Sequence, residues 1–188
     1  IGGGTPTTLS PEEMETLIKG LFKEFDLSNI KEFTVEAGRP DTINREILEV
    51  LKKHGVSRIS INPQTMNDET LQKVGRKHSV NDIIECFQLA RELGFDNINM
   101  DIILGLVDEN LAMVENTLKE IEKLSPESLT VHTLAVKRTS KLKENIDNYE
   151  LTQFDEMTKM IDLSMKYAKK MGLNPYYMYR QKHMLGNL

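Results

Sequence analysis

Apolar residues recur along this chain with two alternating periods. From Met14 through Leu17, Ile18, Leu21 and Phe22 to Phe25 the spacing is three and four, the stripe of an amphipathic helix. Ser10, Pro11 and Glu13 ahead of it form a capping-box signature, so a helix is predicted over residues 10–25. Residues 32–36 then alternate with period two and predict a strand. The helical period returns through Ile47, Leu48 and Leu51 until Gly55, and residues 58–62 predict a second strand. A short helix over 67–74 and a longer one over 80–93, stopped by Gly94, precede a third strand over 97–104. Leu111, Val114, Leu118, Ile121 and Leu124 mark a helix over 109–124 that Ser125 and Pro126 end. A strand over 129–134, a charged loop over 137–148, a helix over 151–171 and a strand over 176–180 complete the pattern.

Strands separated by helices need crossover connections, so the sheet is parallel and the fold class is α/β. Glu36, Gln64, Asp101 and His132 fall at or beyond the predicted C-terminal ends of successive strands, the rim where parallel barrels bind ligands. A doubly wound open sheet would gather its site at one switch point instead, so a partial (β/α) barrel, TIM-like, is expected. The pattern holds no internal repeat or linker, and residues 1–188 are treated as one domain.

Composition narrows the function classes. The 188 residues carry 24 Lys+Arg against 29 Asp+Glu, a net charge of -5, which argues against a nucleic-acid surface. No apolar run reaches the roughly 18 to 20 residues of a membrane span, and no basic-then-apolar leader opens the chain, so a soluble, cytoplasmic protein is expected. The single cysteine, Cys86, excludes an intrachain disulfide and a metal site of several thiolates from this chain. Its place mid-helix between Ile84 and Phe87 fits a small buried hydrophobe. The opening Ile1, without methionine, followed by a glycine run, predicts a strand leading into Ile1 from upstream.

Three adjacent glycines, Gly2 to Gly4, let main-chain N–H and C=O groups approach an amine or carboxylate closely, although a tight turn alone also explains them. Neither GxxxxGK[ST] nor GxGxxG is present. Asp101 suits a ligand contact or a strand-end ion pair with lysine. Glu36 and Gln64 suit polar contacts or helix capping. Arg76 belongs equally to the basic run Arg76, Lys77, His78.

Taken in order, GGGTPT, VEAGRP, NPQTMNDETLQKVGRKH, NMDIILGL, VHTLAVKRTSKL and PYYMYRQKHMLGN resemble the radical S-adenosylmethionine (SAM) enzymes of the oxygen-independent coproporphyrinogen III oxidase type. The resemblance covers essentially the whole chain. It implies that SAM binds beside a [4Fe-4S] cluster and that an electron donor reduces the cluster. A SAM-derived radical then takes hydrogen from the propionates of a porphyrinogen substrate, which become vinyl groups with loss of carbon dioxide. By the same resemblance Gly3, Gly4 and Thr5 line the methionine part of SAM, and Glu36 and Arg76 make polar contacts. Gln64 and Asp101 lie near the ribose, and Ala135 makes a main-chain contact near the adenine. The family's CxxxCxxC motif is not in this sequence, so the cluster's ligands are expected outside it, upstream of Ile1, with no metal ligands here and no activity from this piece alone. Catalytic residues are not identified. A related group carrying the same motifs acts as a haem chaperone, and that role stays open beside oxidation. An ordinary barrel enzyme using Glu36 and Asp101 as acid and base is a third reading. A sheet edge left by a missing first strand predicts self-association, a swap or a disordered rim there.

Overall fold

The computed structural model describes residues 1–134 and 154–177. Helix α1 spans Pro11–Glu24 and begins as predicted, because Ser10 accepts from the Glu13 N–H while the Glu13 carboxylate accepts from the Ser10 N–H. Strand β1 is Thr34–Gly38, followed by α2 (Arg45–Lys53), β2 (Arg58–Gln64), α3 (Asp68–Lys73), α4 (Val80–Glu92) and β3 (Ile98–Leu104). Helix α5 (Leu111–Leu124), β4 (Ser128–Thr133) and α6 (Phe154–Lys170) close the described order. The strands form one sheet in the order β1-β2-β3-β4, and β1 pairs with β2 in parallel. Helices lie between successive strands, as the crossover argument requires.

Several boundaries move. β1 starts and ends two residues later than predicted, since Gly38, in the left-handed region at φ 74°, and Pro40 stop it. Glu36 therefore lies inside the strand. β2 runs on through Gln64, so Gln64 is its last residue, and Asp101 and His132 lie within β3 and β4. α5 starts at Leu111, because the Asn110 side chain caps it by accepting from the Met113 N–H, leaving Glu109 outside the helix. The predicted last strand fails over its first two residues: Tyr176 and Tyr177 are exposed and outside any strand, and the remainder lies outside the described residues. The charged loop over 137–148 and Ala135 also lie outside them.

The described residues divide into two compact units. The first comprises Ile1–Pro63, Asn81–Met100 and Pro126–Ser128. Its core gathers Met14, Ile18, Val35, Ile47, Leu48, Leu51, Ile59, Ile61, Ile83 and Phe95, all nearly fully buried. Each such side chain contributes on the order of 1.5–3 kcal/mol of transfer free energy. α1 buries only Met14 and Ile18 fully. Leu17, Phe22 and Phe25 on the same stripe are exposed, Phe25 by 61%, with Phe22 edge-on to Phe33. The second unit takes Gln64–Val80, Asp101–Ser125 and the described residues from Leu129 onward, around Leu71, Ile102, Leu104, Val114, Leu118, Ile121, Met157 and Met160.

Candidate functional site

In the first unit, the chain start lies against the outer edge of β1. The Ile1 nitrogen donates to Thr34 O (2.6 Å), and Ile1 O accepts from the Glu36 N–H (2.9 Å), a parallel bridge opposite Val35. The β1–β2 register slips by one residue between Val35 and Gly38, a bulge on the stretch that carries Glu36. A Cβ on Gly2 would stand 2.7 Å from Glu36 Oε2 and 2.8 Å from its carboxyl carbon. The Glu36 carboxylate thus occupies space that only glycine leaves open. Gly3 and Gly4 take φ 86° and 103°, a left-handed backbone that side chains disfavour, and nothing within 4 Å would obstruct their Cβ atoms. Their peptide groups are exposed.

Residues after the loop fasten it to β1. Thr7 Oγ1 donates to Ala37 O (2.5 Å) and lies 2.7 Å from Thr42 Oγ1, and Thr7 is buried. Thr5 O accepts from both the N–H and the hydroxyl of Thr8, and the Thr5 methyl lies 3.5 Å from where a Gly38 Cβ would be. The structure therefore brings Gly2 to Thr5 together with Glu36. Gly2 is the member that motif matching left out, and its signal was the unbroken glycine run.

In the second unit, Gln64 is buried and takes φ 70°, one of three non-glycine residues in the left-handed region among the described residues. Asp101 Oδ2 lies 3.9 Å from His132 Nε2 on the neighbouring strand, and both side chains are partly exposed. Arg76 is half-buried just after α3, its N–H donating to Leu71 O.

Beside Gln64 stands a polar cluster that the sequence pattern did not single out. Glu109 Oε1 accepts from Thr65 Oγ1 (2.5 Å) and from Asn67 Nδ2 (3.0 Å), and Asn67 Nδ2 also reaches Met113 O and Thr117 Oγ1. The Met66 N–H donates to Thr117 Oγ1 (3.0 Å). Glu109, Thr65 and Thr117 are all buried. Burial raises the Glu109 carboxyl above its ordinary range, opposed by hydrogen bonds from Thr65, Asn67 and Thr70. The partners lie some forty to fifty residues apart in the chain, so no local pattern announces them.

The residues fit one family cofactor and not the other. An exposed left-handed glycine loop beside a carboxylate suits a small molecule bearing an ammonium and a carboxylate, as SAM does. A thiolate-bound cluster does not fit: Cys86 is buried, its thiol pushed up to about 12, and no group of three or more His, Cys, Asp or Glu among the described residues could hold a metal ion.

The described residues form an α/β sheet protein with a glycine loop against its edge strand β1 and acidic residues, Glu36 and Asp101, on its strands. The pattern of the Radical SAM superfamily matches residues 1–121. The chain belongs to the radical SAM superfamily. It is 49% identical over all 188 residues to the oxygen-independent coproporphyrinogen-III oxidase-like protein HemZ of Bacillus subtilis. It is 33% identical over 179 residues, 94% of this chain, to the haem chaperone HemW of the same organism. The structure of coproporphyrinogen III oxidase (HemN) from Escherichia coli, described as a radical SAM enzyme, superposes with a TM-score of 0.80 at 27% identity, over 91% of this chain. The chain spans 38% of that HemZ, 47% of that HemW and 39% of that HemN. The fold is the radical SAM α/β fold. No helix among the described residues is long and apolar enough to cross a membrane.

Proposed function

We propose that this chain is the SAM-binding part of a cytoplasmic radical SAM oxidoreductase that converts propionates of coproporphyrinogen III to vinyl groups in haem synthesis, giving protoporphyrinogen IX. The observation that carries the SAM-binding reading is the apposition of Gly2 and Glu36 beside two left-handed glycines. Gly3, Gly4 and Thr5 offer main-chain groups to the methionine part of SAM, and Glu36 accepts from its ammonium. Arg76 pairs with the carboxylate, the Asp101 carboxylate accepts from a ribose hydroxyl, and the Gln64 amide exchanges hydrogen bonds with the ribose. When bound, SAM supplies the oxidising radical. The chain's residues bind and orient it and keep water out. Each propionate loses one hydrogen atom, carbon dioxide and one electron, the electron passing to an acceptor, while an electron donor reduces the [4Fe-4S] cluster. The cluster's ligands lie in residues other than these 188.

The 49% identity to HemZ over the whole chain favours the oxidase. A second reading, a haem chaperone that binds and delivers haem, is favoured by the 33% identity to HemW over 94% of the chain. The test uses the full-length gene product, reconstituted anaerobically with iron and sulfide. 5'-Deoxyadenosine formed from SAM and dithionite, with vinyl products from coproporphyrinogen III, is the expected result. Haem bound tightly without decarboxylation would replace the oxidase with the chaperone, and absence of any cluster would overturn both.

A further inference from the structure

The two ends of the buried bond between Thr65 and Glu109 share a feature. Thr65 follows Gln64 at φ 70°, and Glu109 follows Asp108 at φ 57°. A non-glycine residue in this region costs on the order of 1 kcal/mol or more, so a neighbouring interaction must hold it there. For Gln64 the holding groups follow it directly in the chain. Thr65 and Asn67 bond to Glu109, the Met66 N–H bonds to Thr117, and Met66 O accepts from Asn116 Nδ2. Every residue after Gln64 up to the start of α3 is thereby tied to Glu109 or to α5. On the far side, Lys73 of α3 pairs with Asp108 at 2.8 Å, bracing the second left-handed residue.

We infer that Glu109 is a positioning residue for the nucleoside end of SAM, holding Gln64 in its left-handed backbone through Thr65 and Asn67. The inference rests on the reading above that Gln64 contacts SAM. Glu109 itself touches no ligand in this scheme. Its part is that of a hydrogen-bond acceptor at Oε1, so an amide in its place keeps the function, whereas a methyl group releases the 64–67 turn. The burial that raises its carboxyl agrees with an acceptor role that does not need the charge.

The experiment measures SAM affinity of the reconstituted full-length protein by calorimetry in a double-mutant cycle. Gln64→Ala is expected to weaken binding about tenfold, and Glu109→Ala and Thr65→Val about fivefold to tenfold each. In the Gln64→Ala background, Glu109→Ala should add less than about twofold, because the group it positions is gone. Glu109→Gln, which keeps the acceptor and serves if the alanine variant does not fold, should stay within about twofold of the parent. Equal losses with and without Gln64, or full affinity in both Glu109→Ala and Thr65→Val, would reduce the cluster to a structural role and overturn the inference. Full affinity in Gln64→Ala would overturn the Gln64 contact and the inference with it. A parent protein that binds no SAM would instead overturn the proposed function.

Discussion

The carboxylate of Glu36 stands against Gly2 so closely that a Cβ on that glycine would come within 2.7 Å of Oε2. The obstructing atoms are the far end of a flexible side chain, so Gly2→Ala moves Glu36 at small cost to the fold. Gly2→Ala should therefore leave the urea midpoint nearly unchanged while weakening SAM binding about tenfold. Gly3→Ala should behave oppositely in origin: its Cβ meets nothing, yet φ 86° costs about 1 kcal/mol of stability. Urea titrations and calorimetry on the same pair of variants check both.

Glu109 makes stability depend on pH with a definite sign. Its folded pKa is raised from 4.5 by burial, so the folded state holds the proton more tightly than the unfolded chain. That contribution is fully present below pH 4.5 and is lost as pH rises through the folded value. Glu109→Gln removes the dependence. The fall in urea midpoint from pH 4.5 to 7 should be smaller in the variant than in the parent, and an equal fall would contradict the assignment.

Glu15 works in the other direction. Lys53, His54 and Lys19 around its carboxylate lower it from 4.5 to about 2. Its stabilisation is present above pH 4.5 and is lost as pH falls through about 2. In acid titrations followed by circular dichroism, Glu15→Gln should lose less stability than the parent between pH 4.5 and 2. High salt should narrow the difference, because the cluster is on the surface.

Cys86 is held as a thiol by burial, pushed up to about 12. At pH 8 the native protein should leave this cysteine unlabelled by an aromatic disulfide reagent, and denaturant should expose it for reaction. Rapid labelling without denaturant would show that α4 opens readily.

Order and type of elements were legible because local physics decides them. Apolar spacing, the Ser10 capping box and the Gly55 and Gly94 stops act within one or two turns of backbone. Of the candidate site, the glycine run and the acid of the next strand were legible as motifs, whereas their apposition, Gly2 against Glu36, depends on the fold. Boundaries were less so: β1 shifted onto Gly38 because its bulge depends on pairing with β2, and Tyr176 and Tyr177 fell outside any strand.

By itself, then, the sequence determined the α/β alternation, the parallel sheet and the glycine-then-acid motif, each a matter of neighbours in the chain. Only the tertiary structure decided that Glu36 fills the space a Gly2 side chain would take, that α1 leaves Phe22 and Phe25 exposed, and that Glu109 is buried on Thr65 and Asn67. The pairs Gly2–Glu36, Thr65–Glu109 and Asn67–Glu109 are separated by 34, 44 and 42 residues and are brought together by packing that no local spacing encodes.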